Sequence, residues 1–235
     1  MRNRRQRSGH RNTKNNIEKM ETNKLTDFSA IKKMYNINEP NGFNDDEINS
    51  IYLIFNNLSQ VLVDYYSELG KIERLNHTQD SLITPDKFQY FKNDDYLIFY
   101  RENQSVCVWA IHKNDLMKTN PPVYMSEDEK DWRLEADTLC DFFTAMAYLQ
   151  AVFALDYGAE TYYEIEENAL AYIRNHYVNK GVAFKQWTTG IEFYGNYDDS
   201  IIVVMGGGQH LLYSSDNKEH FDEMNADLSK LGLAL

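Results

Sequence analysis

The chain has 235 residues, 43% hydrophobic and 14% aromatic, which supports one substantial core and excludes a wholly disordered protein. Its formal charge is −12, but residues 1–14 hold six cations (Arg2, Arg4, Arg5, Arg7, Arg11, Lys14) and no acid, so the remainder carries −18. A body this acidic repels nucleic-acid phosphates and anionic membrane surfaces and attracts basic partners.

Residues 1–24 are polar and rich in Asn, Arg and Lys, the composition of a disordered basic tail. Met20 offers an alternative start, which would make the preceding residues an upstream extension; intact mass of the native gene product decides it. Residues 8–30 have no apolar core of a signal peptide, and the longest apolar run, 145–155, is interrupted by Gln150 and too short to span a bilayer. The cytoplasm is therefore the expected compartment. Residues 25–235 are expected to form a single domain.

A first helix is predicted over 27–35, with Phe28, Ile31 and Tyr35 on one face. The stretch 39–42 reads as a turn. Asn44 and Glu47 have capping-box spacing before a helix with Ile48, Ile51, Tyr52 and Phe55 on one face. Ser59 caps the next helix, which carries Val61, Leu62, Tyr65, Tyr66 and Leu69 and stops at Gly70. After a loop ending in Pro85, strands are predicted over 96–101 and 105–111, joined by Glu102-Asn103-Gln104 with Asn103 in the left-handed conformation. The first has two apolar faces, so it belongs inside a sheet covered on both sides. Val123 and Tyr124, after two prolines, suit a short edge strand, and 125–136 reads as an acidic loop around Trp132. Asp137 caps a long core helix reaching Phe153.

The last third alternates again. A helix is predicted over 166–178, then strands over 184–188, 191–195, 201–205 and 210–214. Gly206-Gly207-Gly208 reads as a hairpin turn, because a strand and not a helix follows it and no phosphate-loop motif is present. Asp216 and Glu219 have capping-box spacing before a last helix carrying Phe221, Met224, Leu228 and Leu231 and ending at Gly232.

Catalytic signals are weak. No two of the six histidines have metal-ligand spacing, and H-E-x-x-H, C-x-x-C and G-x-S-x-G are missing from the sequence. Cys107, in a predicted strand, and Cys140, in a predicted helix, lie in apolar sequence, which suits buried, reduced thiols better than a nucleophile or a disulfide framework. Acid pairs such as Asp198-Asp199 and Glu166-Glu167 are expected by chance among 36 acids and read as solvated surface. The expectation is a protein without catalytic residues, metal or cofactor.

Two acidic segments carry more information. Residues 125–141 include Glu127, Asp128, Glu129 and Asp131. Residues 156–167 interleave Asp156, Glu160 and Glu164 with Tyr157, Tyr162 and Tyr163. They flank the same predicted helix, which would let them share one end of the molecule. The pattern suits ordinary acidic surface or a protein interface, where tyrosines supply area and carboxylates steer a basic partner. These ten residues are the candidate partner-binding set.

The central block, 43–153, resembles the SUKH superfamily, which unites fungal regulators of cell-wall (glucan) synthesis with bacterial immunity proteins of polymorphic toxin systems. The resemblance rests on the ordered series Leu62, Tyr65, Tyr66, Leu69, Gly70; Leu75-Asn76, Thr78-Gln79, Leu82, Pro85; Tyr96 to Tyr100; Glu102-Asn103-Gln104; Val108-Trp109; Pro122-Val123-Tyr124; Trp132; and Leu139, Phe142, Phe143. It implies an α+β fold, a mixed and mostly antiparallel sheet with helices packed against it. In that family Glu102-Asn103-Gln104 and Trp132 would be architectural. The function implied is that of an immunity protein: a monomer that binds a basic cognate toxin, such as a nuclease, and blocks it. The alternative implied is a non-catalytic scaffold or regulator of cell-wall synthesis. The C-terminal third is matched less closely.

Overall fold

The computed structural model describes residues 26–188 and 190–235; the basic tail and the question of a start at Met20 fall outside them. α1 (Ser29–Met34) buries Ile31 and Met34, with Phe28 and Tyr35 buried at its ends. α2 (Asp45–Phe55) opens on the expected capping box, in which the Asn44 side chain accepts the Glu47 N–H and the Glu47 carboxylate accepts the Asn44 N–H. Its buried stripe is Ile48, Ile51 and Phe55, and Tyr52, at the border of that stripe, is exposed rather than packed. α3 (Gln60–Leu69) is capped by Ser59. Gly70 follows it in ordinary helical geometry, with φ −61°. Close approach is what requires glycine there, since a Cβ would lie 2.6 Å from the Phe43 ring. α4 (Glu73–Asn76) is a single turn.

β1 (Ser81–Leu82), β2 (Tyr96–Arg101), β3 (Val108–His112), β4 (Val123–Ser126) and β5 (Arg133–Ala136) form an antiparallel meander in that order. β2 is buried on both faces, as its sequence predicts. Leu97, Phe99 and Tyr100 enter the main core; Ile98 joins Val108 and Ala110 in a small cluster beneath Phe91, Tyr96 and Trp132. A bulge between Ile98 and Tyr100 breaks the alternation and sends two adjacent aromatics to the same side. Three expectations are corrected here. The left-handed residue of the β2–β3 turn is Ser105, φ 62°, and not Asn103. Glu102 sets this geometry, its carboxylate accepting the N–H groups of Gln104 and Val106. The second strand starts at Val108, leaving Cys107 just before it. Val123 and Tyr124 lie in an interior strand, because the supposed acidic loop contributes β5 as the sheet edge.

α5 (Leu139–Ala154) crosses behind this sheet, and the C-terminal third builds a second one. Its parts are β6 (Tyr157–Gly158), β7 (Tyr163–Ile165), α6 (Glu167–His176), β8 (Glu192–Tyr194), β9 (Ser200–Met205), β10 (His210–Ser215), α7 (Lys218–Leu228) and β11 (Gly232–Ala234). The order is β11-β7-β10-β9-β8, antiparallel throughout, with β6 also on β10. Period-2 alternation divides β9 cleanly. Ile201 and Val203 face the main core with α5, while Ile202 and Val204 face a second core with Ile173 of α6 and Met224 and Leu228 of α7. The fold is thus α+β with helices on antiparallel sheets, two sheets in place of one. Gly206, Gly207 and Gly208 make the predicted hairpin turn, at φ 65°, 68° and 94°.

Further corrections follow from tertiary competition. Thr138, not Asp137, caps α5; the Asp137 carboxylate instead pairs with Lys185 at 2.5 Å. Asn217, not Asp216, caps α7, because Asp216 is taken by Arg74. Residues 184–188 are not a strand, since the buried Glu135 carboxylate accepts the N–H groups of Gln186 and Trp187 that a ladder would use. α7 ends before Leu231, and Gly232 opens β11 rather than stopping the helix. Among the described residues no helix is long and apolar enough to cross a membrane. Cys107 is buried and Cys140 half-buried, both as free thiols; burial pushes Cys140 up to about 11 and Cys107 well above the usual thiol range.

Candidate functional site

The β4–β5 turn, residues 127–132, is built around one carboxylate. Asp128 accepts the N–H groups of Lys130 and Asp131, each at 2.9 Å, and the Ser126 hydroxyl at 3.1 Å. Those backbone donors hold its carboxyl below the usual range. The turn places Glu129 in the left-handed region, φ 59°, and its carbonyl accepts from the Asn93 side chain at 3.0 Å. Asn93 in turn accepts the N–H groups of Asp95 and Tyr96. One asparagine therefore fastens the turn to the loop preceding β2.

Between the two loops is an open cleft of about 610 Å³. Trp132 stacks on Tyr96, ring centroids 4.1 Å apart and 15° between planes. Tyr96 meets His112 and Tyr124 edge-on. Asp94, Asp95, Glu129 and Asp131 line the same cleft, with Lys130. An aromatic floor with a carboxylate rim suits a lysine or arginine side chain, which gains a π-face and charge-assisted hydrogen bonds together.

Of the candidate residues, Glu129 and Asp131 line this cleft. Asp128 braces the turn, and Glu127 pairs with Arg133 at 2.7 Å. The second segment lies elsewhere, on the second sheet. Asp156 is exposed, 3.9 Å from Arg74. Tyr157 leans on Phe221 and Tyr163 on Tyr213. Tyr162 is exposed, its carbonyl accepting the Leu235 N–H. Glu160 and Glu164 point to solvent. No hydrogen bond, ion pair or ring contact joins the two segments among the described residues. The sequence reading missed Asp94, Asp95 and Tyr96 as cleft residues, although their acid-tyrosine pattern is the one that marked 156–164.

Two other clusters bear on chemistry. Asp198 and Asp199 diverge to separate partners, Lys33 at 2.9 Å and His220 Nδ1 at 2.7 Å, with Tyr197 stacked on His220; they are not a cooperating carboxylate pair. Asp80 is buried, with Oδ1 accepting the Asn103 N–H at 3.2 Å and Oδ2 unpartnered. Burial pushes its pKa up to about 7; the Asn103 N–H opposes this and Glu102 adds to it. Beside it Gln150 donates to the Asp80 carbonyl and the Tyr100 hydroxyl. This network locks the β2–β3 turn to α5. No family model, curated protein or solved structure matches the chain.

Proposed function

We propose that this protein is an immunity protein of a bacterial polymorphic toxin system. It binds a basic cognate toxin, such as a nuclease, and occludes it without performing chemistry. The supporting observation is the acidic cleft floored by Tyr96 and Trp132, set in a body of charge −18. Electrostatic steering toward that body speeds capture, and the aromatic floor gives a captured cation something to rest on. The likeness of the central block to the SUKH superfamily supports the same reading, with the protein acting as a cytoplasmic monomer. Co-expression with a candidate toxin from a neighbouring gene is the test. Cells are expected to survive only when this protein is made; equal killing with and without it rejects the reading for that pair.

A further inference from the structure

The cleft described above carries carboxylates. A smaller cavity of about 280 Å³, between β1, the 3-10 turn Pro85–Tyr90 and the end of β2, is lined by none. Instead it collects Arg101, Lys87 and His77, with the Ser81 hydroxyl beside them and Tyr90 and Phe91 as aromatic walls. This is a cationic pocket in a body of charge −18.

Its centre is Arg101. The guanidinium rests over the Phe91 ring, 5.8 Å from the centroid. The Nε–H is buried and has no hydrogen-bond partner. Among the described residues no carboxylate pairs with Arg101 or Lys87 within ion-pair distance. A buried, unpaired donor is costly and rare, and a guanidinium edge presents parallel N–H groups that match two oxygens of one anion. We propose that this cavity binds a small organic anion, a carboxylate or phosphate monoester on an aromatic or apolar body. The oxygens take the Arg101 edge, Lys87 and His77 add charge and donors, and the body lies between Tyr90 and Phe91. Burial, aided by Lys87 and opposed by the Glu73 carboxylate, holds the His77 imidazole below its usual range, and an anion beside it would favour its protonated form. Tyr90 is 77% exposed, so its ring is accessible to the body of a bound anion.

The experiment is a titration of the full chain with benzoate and with phenyl phosphate, followed by calorimetry and by the His77 ring signals in NMR. At least one probe is expected to bind saturably at or below the millimolar range and to raise the His77 pKa. Whichever binds more tightly identifies the preferred anion. Arg101→Met is expected to weaken binding at least tenfold. Lys87→Met, at an exposed position, gives a smaller loss with the fold intact and serves as the check should the Arg101 variant misfold. No saturable binding of either probe up to about 10 mM, or an affinity unchanged in Lys87→Met and Arg101→Met, overturns the proposal.

Discussion

At the scale of single residues, Asp80 makes the sharpest claim. Its folded pKa of about 7 lies above the unfolded value near 4. The folded state therefore keeps a proton that the unfolded chain has already released. The resulting stability is fully present below the unfolded pKa and is lost as pH rises toward and through 7. Asp80→Asn has no proton to lose and keeps an oxygen for the Asn103 N–H. Relative to the parent protein, it is expected to gain on the order of 1–3 kcal/mol between pH 5 and pH 8. Urea denaturation at both pH values measures this, and a pH-independent difference would mean that Asp80 ionises without penalty. Trp109 has a simpler role. It is fully buried and its ring touches those of Tyr100, Phe142 and Trp187. Trp109→Ala is expected to cost about 3–5 kcal/mol, and a loss within error would show that the strand is not central.

Among the elements, α4 has a single turn, too short for helix propensity alone to hold it. Arg74 holds it instead, with Nη1 and Nη2 on the Asp216 carboxylate at 3.0 and 2.5 Å and a further bond to the Tyr35 carbonyl. This ties α1, α4 and the start of α7 into one joint. Arg74→Met leaves Asp216, largely buried, without its cation and is expected to cost about 1–3 kcal/mol. If equilibrium unfolding shows no change, the joint is not a stabilising one. The same joint explains what a sequence can disclose. The Asn44–Glu47 capping box is legible because both partners sit within one turn, and β9 and β10 are legible as short apolar runs bounded by turn residues. Asp137 and Asp216 looked like caps, but each had a distant cation, so the neighbouring Thr138 and Asn217 capped instead. β7 and β11, three residues each, are too short for periodicity to register. The strands divide into two sheets through pairings between residues distant in sequence, both sheets packing on α5, and no local pattern carries that information. The candidate cleft was half legible: Glu129 and Asp131 stood out in an acidic run. Asp94 and Asp95 reach the site through long-range contacts, the Asn93–Glu129 hydrogen bond spanning 36 residues and the Tyr96–Trp132 stack.

For the molecule as a whole, charge and shape make separable predictions about partner capture. The −18 body acts at a distance and is screened within a Debye length of about 8 Å at physiological salt. The Tyr96–Trp132 stack acts only in contact. Neutralising cleft acids should therefore slow association, and removing the aromatic floor should hasten dissociation. Glu129→Gln with Asp131→Asn is the suitable pair, because both line the cleft. Asp128 is a poor target, because its carboxylate holds the turn and its loss would confound folding with binding. Stopped-flow measurements with the toxin are expected to show about a three- to tenfold slower on-rate for the double variant at low salt, with parent and variant converging at high salt. Trp132→Ala is expected to leave the on-rate nearly unchanged and raise the off-rate. An unchanged on-rate for the double variant at low salt would remove the cleft from the interface and shift the search to the separate acidic surface formed by Asp156, Glu160 and Glu164 on the second sheet.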